Sequence, residues 1–155
     1  MSDAEAEFSD LSHEAARLSE FLARLDHGNL GDDTLETWVA AHTCGSSSEG
    51  LCMGMERVML LLATRIDGVP MANTASWHLG LLRRMGEPVE GRRGAVLTPS
   101  LCAALDRLCG FRHRERNSYA ADLRPVTVIE RAEEALATLA RFFDAVRTFL
   151  QTRSP

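Results

Sequence analysis

The residues best suited to chemistry in this chain stand together at 111–119, where the sequence reads Phe-Arg-His-Arg-Glu-Arg-Asn-Ser-Tyr. Most of these side chains bind charge or move protons. Three leucines before them follow the 4-3 spacing of one apolar helix face: Leu101, Leu105 and Leu108. Continued, that spacing reaches Arg112, Glu115 and Tyr119, so charge replaces leucine on the same face. Buried charges cost on the order of several kcal/mol unless they are paired. The cluster is therefore either a functional site or a helix end that emerges into solvent.

Length and composition bound the fold. With 155 residues, 45% of them hydrophobic, the chain is expected to form one domain over residues 1–155 with a substantial core. Residues 1–8 are a candidate disordered segment. No apolar run reaches the roughly 18 to 20 residues that a membrane span needs. The acidic start Met1–Glu5 lacks the basic and apolar regions of a signal peptide. We therefore expect a cytoplasmic protein that does not contact a membrane.

Charge is divided unevenly along the chain, although the net charge is only −5. Residues 1–36 carry ten acidic side chains and two basic ones, whereas residues 83–124 carry nine arginines and five acids. The overall sign argues against non-specific nucleic-acid binding by the whole molecule. The arginines leave room for a local basic surface, or for an ordinary solvated face: Arg83, Arg84, Arg92, Arg93, Arg107, Arg112, Arg114, Arg116 and Arg124.

The cysteines and histidines do not form a metal motif. Cys44, Cys52, Cys102 and Cys109 include no Cys-x-x-Cys pair, and a chain of this size does not need a disulfide framework. Cys102 and Cys109 lie seven apart, on one helix face, where small buried thiols are ordinary core residues. The histidines are scattered, and only His42 lies close to a cysteine. We predict structural cysteines and no metal.

Hydrophobic periodicity predicts an all-α chain, because no stretch shows convincing strand alternation. The first helix is expected to stop near 27–29, and Asp33, with Glu36 three residues later, is a candidate N-cap for the second. The composition of Gly45–Ser48 favours a loop, although small residues also let two helices approach closely. Helical spacing then resumes and ends at Asp67-Gly68-Val69-Pro70.

Three further helices follow. A short one is expected to start near Asn73 or Thr74, and residues 86–97, rich in glycine, form a loop. Thr98-Pro99 combines an N-cap with proline at the first helical position and opens the helix that bears the charged cluster. Thr127–Glu130 has the pattern of a capping box near the start of the last helix. The sum is a bundle of four main helices plus a short one.

Ordered landmarks along the chain carry a family resemblance. The sequence contains Ser76-Trp77-His78-x-x-Leu81-Leu82-x-x-Met85, a loop with Pro88, and then Leu108-x-Gly110-Phe111-Arg112-His113-x-x-Arg116-Asn117-x-Tyr119. Over about residues 35–150 the chain resembles HepT-like proteins of the HEPN superfamily. The segment Gly54–Val58, with Ile66-Asp67-Gly68 after it, is similar to the second long helix of those proteins. The resemblance implies a HEPN-type helical bundle and places Gly45–Ser48 within a long helix.

The resemblance also implies a function. HepT-like proteins are metal-independent ribonucleases, usually toxins, and their antitoxin is commonly a minimal nucleotidyltransferase encoded beside them. Two copies of the motif Arg-x4-His-x-Tyr meet across a homodimer to form the active cleft. In some members the partner enzyme adenylylates the motif tyrosine, which silences the RNase. The implied protein is thus a toxin–antitoxin ribonuclease that needs no cofactor.

One position departs from that motif. Arg112 matches the arginine and Tyr119 the tyrosine, but Asn117 occupies the histidine position; these three are the candidate catalytic residues. RNA cleavage without a metal takes one proton from the 2′-hydroxyl and delivers another to the leaving oxygen, and histidine does both because its pKa lies near neutrality. An asparagine amide does not titrate. Loss of general acid–base catalysis typically costs about 10² to 10⁴ in rate.

Two functions stay open at this point. Arg112, Arg114 and Arg116 can contact RNA phosphates, with Arg112 the candidate for stabilising transition-state charge, and Tyr119 can stack or donate a hydrogen bond. His113 is a candidate auxiliary imidazole, although it lies about 100° from Arg112 around a helix. The first function is a HepT-like ribonuclease. The second is a catalytically degenerate HEPN module that binds RNA, a nucleotide or a nucleotidyltransferase.

Overall fold

Five α-helices are present in the computed structural model, which describes residues 2–26, 28, 30–31, 34–68, 77–117 and 124–152, and their side chains except those of residues 2–4 and 109–117. The helices are α1 (Ser2–Arg24), α2 (Leu35–Leu62), α3 (Trp77–Gly86), α4 (Pro99–Asn117) and α5 (Pro125–Gln151). Four are long and α3 is short. Within the described ranges there is no strand, only an isolated bridge between Val89 and Arg93. The predicted all-α, HEPN-type bundle is confirmed, whereas a single domain over 1–155 stays a prediction.

The first helix, α1, packs along α2. Leu11 of α1 approaches so closely that a Cβ atom at Gly54 would lie 2.4 Å from its Cδ2 atom, so glycine is what lets the two helices meet there. Arg57 of α2 forms an ion pair with Glu7 of α1 at 2.8 Å. Of the candidate disordered segment 1–8, residues 2–8 form the first turns of α1.

The second helix, α2, is continuous through Gly45–Ser48. The buried Ser48 hydroxyl donates a hydrogen bond to the Cys44 carbonyl at 2.7 Å, so its polar group is satisfied inside the helix. The loop that composition favoured does not form. The placement that the family resemblance implied is confirmed.

Two helix starts differ from the predicted ones by less than a turn. The N-cap of α2 is Thr34, whose hydroxyl accepts from the amide three residues on, and not Asp33. Both residue types cap well, so the local sequence does not choose between them. In α5 the N-cap is Arg124 and Pro125 is the first helical residue, so the predicted capping box at 127–130 lies inside the helix. Proline fixes this start because its φ angle suits the first turn, where its missing N–H needs no partner.

The end of α2 is tightly defined. A π-helical turn at Ala63–Asp67 follows the helix, and Gly68 terminates it with a left-handed φ of 69°. Glycine adopts this conformation without the strain that a side chain would add. The helical turn ends at Asp67 and Gly68, at the start of the predicted end over 67–70. The predicted start of the short helix at Asn73 or Thr74 lies outside the described residues.

The helices α4 and α5 run antiparallel. Arg107 of α4 pairs with Glu134 of α5 at 3.3 Å, and Arg141 of α5 donates to the Ser100 hydroxyl near the start of α4 at 2.9 Å. Residue numbers therefore increase in opposite directions along the two helices. The end of α4 consequently lies beside the beginning of α5.

The helices α2 and α5 run parallel. Cys44 of α2 lies near enough to Glu133 of α5 for the carboxylate to act on its thiol. Farther along, the first turns of α1 contact α2 at Arg57 and also contact α5, because Phe8 stacks on Phe143 at 4.8 Å between ring centroids. Residue numbers thus increase in the same direction along α2 and α5. Both helices begin at the end of the bundle where α4 ends.

The core runs through the middle of the bundle and rests on aliphatic side chains. Among the described residues, the largest side chain that is fully buried in it is Phe142 of α5. Among the most deeply buried of the others are Leu18, Leu51, Met55, Met59, Leu81, Met85, Leu97 and Val146. Over the ranges described, every helix is too short or too polar to span a lipid bilayer.

Candidate functional site

The helix α4 positions the charged cluster singled out in the sequence. It starts at the predicted Thr98-Pro99, and the Thr98 hydroxyl accepts a hydrogen bond from the Leu101 amide at 3.3 Å. The predicted apolar face is confirmed, because Leu101, Leu105 and Leu108 are all buried. The backbone stays helical through Asn117. The leucine half of α4 therefore anchors the helix in the core, and the charged half extends from it.

The last two turns of α4 carry most of the predicted site residues: Arg112, His113, Arg114, Arg116 and Asn117. The side chains of this segment and the whole of Tyr119 lie outside the described parts of the chain. Positions 112 and 117 are separated by about 7.5 Å along the helix axis and by about 140° around it. By contrast, positions 112 and 116 share one face, and 113 and 117 share another. Positions 112 and 117 therefore do not share a face of α4.

These turns lie at the end of the bundle where α2 begins. Arg107 of α4 is level with Glu134 of α5, the neighbour of the glutamate beside Cys44. Both helices rise by about 1.5 Å per residue. From this common level, Asn117 lies about ten residues onward in α4 and Thr34 about ten residues backward in α2, so the two are roughly level. The candidate site is therefore approached from the first turns of α2 and α5.

Exposed apolar and aromatic side chains occupy those first turns. In α2 the rings of Trp38 and His42 lie 4.0 Å apart, and His42 Nδ1 is 3.0 Å from the Trp38 carbonyl oxygen. Trp38 is 57% exposed and Leu35 71% exposed, and Val126 of α5 is 53% exposed. Large apolar groups in water at one end of a molecule indicate a binding surface. Neither Trp38 nor His42 was predicted as a site residue, although their spacing of four along a helix was the available signal.

A second group of arginines surrounds Asp67 at the opposite end of the bundle. The Arg93 guanidinium binds both Asp67 carboxylate oxygens, with Nε–Oδ1 at 2.7 Å and Nη2–Oδ2 at 2.9 Å. Its other donors reach the carbonyls of Glu87 and Gly94, both at 3.0 Å, and of Arg84 at 2.8 Å. The Arg93 side chain is 1% exposed and that of Asp67 is fully buried. All five guanidinium donors of Arg93 are thus occupied.

Two more arginines complete this Asp67 cluster. Arg84 Nε donates to Asp67 Oδ2 at 2.6 Å, and Arg92 Nη1 donates to the Asp67 carbonyl at 2.6 Å. Burial raises the pKa of Asp67, but the hydrogen bonds and positive charges of Arg93 and Arg84 outweigh it and hold the pKa below its ordinary 3.8. The ionised carboxylate therefore ties the end of α2 to α3 and to the loop that precedes α4.

The basic surface suggested by the sequence is correspondingly smaller. Arg84, Arg92 and Arg93 are engaged by Asp67. Other arginines form exposed ion pairs, Arg83 with Glu87 at 3.0 Å and Arg107 with Glu134 at 3.3 Å. Sequence reasoning missed the cluster because Asp67 was recognised only as a helix end. The sequence contains this acidic residue and two arginine pairs, at 83–84 and 92–93, but does not indicate which of them contact each other.

Cys44 and Cys102 are unsuited to nucleophilic chemistry. Burial, and then the nearby Glu133 carboxylate, raise the pKa of Cys44 to about 11, and burial also raises the pKa of Cys102. His42 is exposed while Cys44 is buried, so the two adjacent ligand types lie on opposite sides of α2. Among the described residues, no three His, Cys, Asp or Glu side chains are grouped as metal ligands.

Comparison with known proteins now bears on this arrangement. A family model described as HepT-like protein matches residues 49–153, about two thirds of the chain. The chain belongs to the HepT-like family. In this HepT-like protein the match takes in the second half of α2 and all of α3, α4 and α5, so it includes the Asp67 cluster and the charged end of α4. Comparison with curated proteins and with solved structures gave no match.

Proposed function

We propose that this HepT-like protein is the ribonuclease-type toxin of a toxin–antitoxin pair, acting in the cytoplasm without a metal beside a minimal nucleotidyltransferase antitoxin. The observation that carries the proposal is the course of α4. It continues as a helix through both Arg112 and Asn117, at an end of the bundle that presents exposed apolar and aromatic groups. Membership of the HepT-like family supports the proposed reaction class.

The proposed reaction is transfer of an RNA phosphate within the strand. The 2′-hydroxyl gives up its proton as its oxygen attacks phosphorus, and the 5′-oxygen takes up a proton as its bond to phosphorus breaks. The products carry a 2′,3′-cyclic phosphate and a 5′-hydroxyl. Arg112 stabilises the charge that develops on the phosphate oxygens, and Arg116, on the same helix face, binds a neighbouring phosphate. Arg114 contacts the RNA backbone from another face. Tyr119 stacks on a base or donates a hydrogen bond.

Proton transfer is the step that Asn117 changes. The amide of Asn117 orients the substrate but neither accepts nor releases a proton. His113 is four residues earlier, a spacing that puts both positions on one helix face, and we propose it as the auxiliary imidazole for proton transfer. Because positions 112 and 117 lie about 140° apart on one helix, we propose that the cleft is completed by a second copy of the chain in a homodimer.

A second candidate function rests on the same residue. If Asn117 has silenced the chemistry, the protein is a degenerate HEPN module that binds RNA, a nucleotide or its nucleotidyltransferase partner, and Tyr119 is the site of adenylylation. The specific observation that favours it is the absence of histidine at position 117. The rate loss of about 10² to 10⁴ expected without a general acid–base is large enough to separate the two functions by assay.

The test is cleavage of RNA by the purified protein in EDTA, with three variants assayed in parallel. Arg112→Ala removes the motif arginine, and Asn117→His restores the family residue. Arg107→Ala is the matched control, since Arg107 is an exposed arginine on the same helix whose described partner is Glu134. Circular dichroism checks that every variant keeps its helix content.

The ribonuclease proposal expects cleavage by the wild type and by Arg107→Ala, and its loss in Arg112→Ala. The degenerate-module alternative expects an inactive wild type and a gain of an order of magnitude or more in Asn117→His. Cleavage that survives Arg112→Ala removes α4 as the site. A protein that is inactive both as wild type and as Asn117→His, and that binds no RNA in a filter assay, removes the RNA-directed forms of both functions.

A further inference from the structure

A groove separates the loop at residues 92–98 from the last three turns of α5, at residues 141–152. Its volume is about 820 Å³, which is within the range of small-molecule sites in proteins. The loop is held against α3, because the Val96 and Leu97 amides both donate to the Met85 carbonyl, at 2.8 and 3.1 Å. This anchoring leaves a gap beside α5, which we call the α5 groove.

The floor of the α5 groove is apolar. Val96 of the loop, Leu101 of α4 and Phe149 of α5 line it, and all three are buried. Gly94 also lines the groove, and a Cβ atom added there would meet nothing within 4 Å. An apolar floor beneath an open cavity of this size favours a ligand that brings an apolar group with it.

The charged side chains of the groove are unevenly engaged. Three arginines line it, and two of them serve the Asp67 cluster: Arg92 and Arg93. The third, Arg141, is exposed, and among the described residues its hydrogen-bond partner is the uncharged Ser100 hydroxyl at 2.9 Å. Asp144 lines the groove too and forms no ion pair within the described ranges. Of the described charges in the groove, one cation and one carboxylate thus remain for a ligand.

These two charges lie on one face of α5. Arg141 and Asp144 are one helical turn apart, and side chains at this spacing have Cβ atoms about 5–6 Å apart, so both can reach one small molecule. Thr148 lies one turn farther. Its hydroxyl makes no hydrogen bond in the part of the chain that the structure describes, whereas the Thr152 hydroxyl donates to the Phe149 carbonyl at 2.7 Å. The face offers a guanidinium, a carboxylate and a hydroxyl in that order.

The helix ends beside the groove favour the same order of charges. Because α4 and α5 are antiparallel, the first turn of α4 lies beside the last turns of α5, as the bond between Arg141 and Ser100 shows. A helix N-terminus favours a negative group nearby and a C-terminus favours a positive one. The anionic group of a ligand is therefore best placed near Arg141, and its cationic group toward Asp144 and Thr148.

We propose that the α5 groove binds a free α-amino acid with an apolar side chain. The Arg141 guanidinium donates to its carboxylate, and its ammonium donates to the Asp144 carboxylate and the Thr148 hydroxyl. Its side chain packs on the apolar floor. Such a zwitterion carries one charge of each sign, which matches the two charges that the groove leaves unpaired. A peptide terminus carries only one of them, so a free amino acid is the matching class.

This site is separate from the proposed RNA site. The α5 groove borders the start of α4, and Leu101 lies about 16 Å from Arg112 along the axis of that helix. A protein that binds the amino acid but does not cleave RNA would remove the ribonuclease function and leave the groove standing. The converse result would remove only the amino-acid site.

Isothermal titration calorimetry on the full chain tests the binding, with L-leucine, L-phenylalanine and L-tryptophan as probes. We expect saturable binding of at least one of them at one site per chain, with a Kd below about 1 mM, a modest affinity for molecules of this size. The same compounds without the ammonium or the carboxylate, such as 3-phenylpropanoate and 2-phenylethylamine, should bind at least about 10-fold more weakly. The proposal is wrong if no probe binds saturably, or if either analogue binds as tightly as its amino acid.

Substitutions assign the binding to the groove. Arg141→Gln and Asp144→Asn should each raise the Kd of the tightest probe at least about 10-fold, because each leaves one charge of the ligand unpaired. The matched controls are Arg147→Gln and Glu130→Gln, at exposed positions of α5 outside the groove, and they should leave the Kd unchanged. Wild-type affinity in Arg141→Gln or in Asp144→Asn overturns the proposal.

A third variant blocks the groove without changing a charge. Gly94→Leu places a side chain in the open space, and the backbone accepts it because the φ angle of Gly94 is not left-handed. We expect this variant to lose the calorimetric signal of the probe. Gly50→Leu is the control, since Gly50 is also open but lies on α2, and it should bind as the wild type does. Binding that survives Gly94→Leu places the ligand elsewhere and contradicts the assignment.

Discussion

At the end of the bundle where α4 begins, Arg84, Arg92 and Arg93 converge on one buried aspartate, whereas at the end where α4 finishes the arginines follow one another along a single helix. The first group is drawn from positions 17, 25 and 26 residues away from Asp67 and is held by tertiary structure. The second is local in sequence and reaches past the last core leucine of α4. Arginine content alone does not measure a binding surface, since the placement of acceptors decides which guanidinium groups remain available to a ligand.

The largest loss of stability is expected from removal of the Asp67 carboxylate. In Asp67→Ala the buried Arg93 guanidinium loses its counter-charge, and we expect a loss of about 3–5 kcal/mol in the free energy of unfolding. Urea denaturation followed by circular dichroism measures it. The matched control is Glu87→Ala, which breaks an exposed ion pair with Arg83 and should change stability by less than about 1 kcal/mol. Equal effects in the two variants would show that the Asp67 cluster is not a structural centre.

Acid should weaken the same cluster without any mutation. Because the pKa of Asp67 is held below its ordinary 3.8, the native state binds this proton less tightly than the unfolded chain does. The stabilisation is fully present above the ordinary pKa and is lost as pH falls through that value toward the lowered one. Unfolding titrations between neutral pH and about pH 3 should show a steeper loss in the wild type than in Asp67→Asn. Parallel pH profiles would contradict the assignment.

A smaller effect is expected from Arg84→Ala. Arg84 is 26% exposed on its side chain and shares Asp67 with the better buried Arg93, so its removal leaves the carboxylate paired. We expect a loss of about 1–2 kcal/mol, in line with a hydrogen bond between charged groups that is partly open to water. A loss as large as that of Asp67→Ala would mean that Arg84, and not Arg93, carries the cluster.

At the other end of the bundle, stability and chemistry should separate. Arg112→Ala is expected to change the free energy of unfolding by less than about 0.5 kcal/mol, as surface substitutions usually do, while abolishing any RNA cleavage. The same urea titration, run beside the EDTA assay, provides both numbers. A strongly destabilised Arg112→Ala protein would place Arg112 in the fold, like Arg93, and erase the contrast between the two ends.

Much of the fold follows from local patterns. Thr98-Pro99 started α4, the spacing of Leu101, Leu105 and Leu108 gave its buried face, and glycine at 68 ended the π-helical turn. Errors arose where two local rules competed. Thr34 and Asp33 are both good caps, and Pro125 fixed the start of α5 ahead of the capping-box pattern.

The sites were less accessible to sequence reasoning. Apolar spacing does not say that Asp67 and Arg93 meet, because their pairing depends on how the loop before α4 folds back on α2. The exposure of Trp38 likewise depends on how the helices pack. Hydrophobic residues at helical spacing are predicted to be core residues unless the positions of the neighbouring helices are known. The motif positions of α4 came from family resemblance, and their chemistry stays a prediction.

The π-helical turn at Ala63–Asp67 gives this protein a local tolerance to a change in length. Such a turn holds one residue more than an α-helical turn but covers about the same rotation. Loss of a single residue between positions 63 and 66 would therefore restore regular winding and leave Asp67 near its present angle, still facing Arg93. Loss of a residue from the regular part of α2 would instead rotate Asp67 by about 100° relative to the rest of that helix. One-codon deletions within the turn should therefore be tolerated far better than one-codon deletions in the body of α2, and a library of both, scored for folded protein, would test this difference.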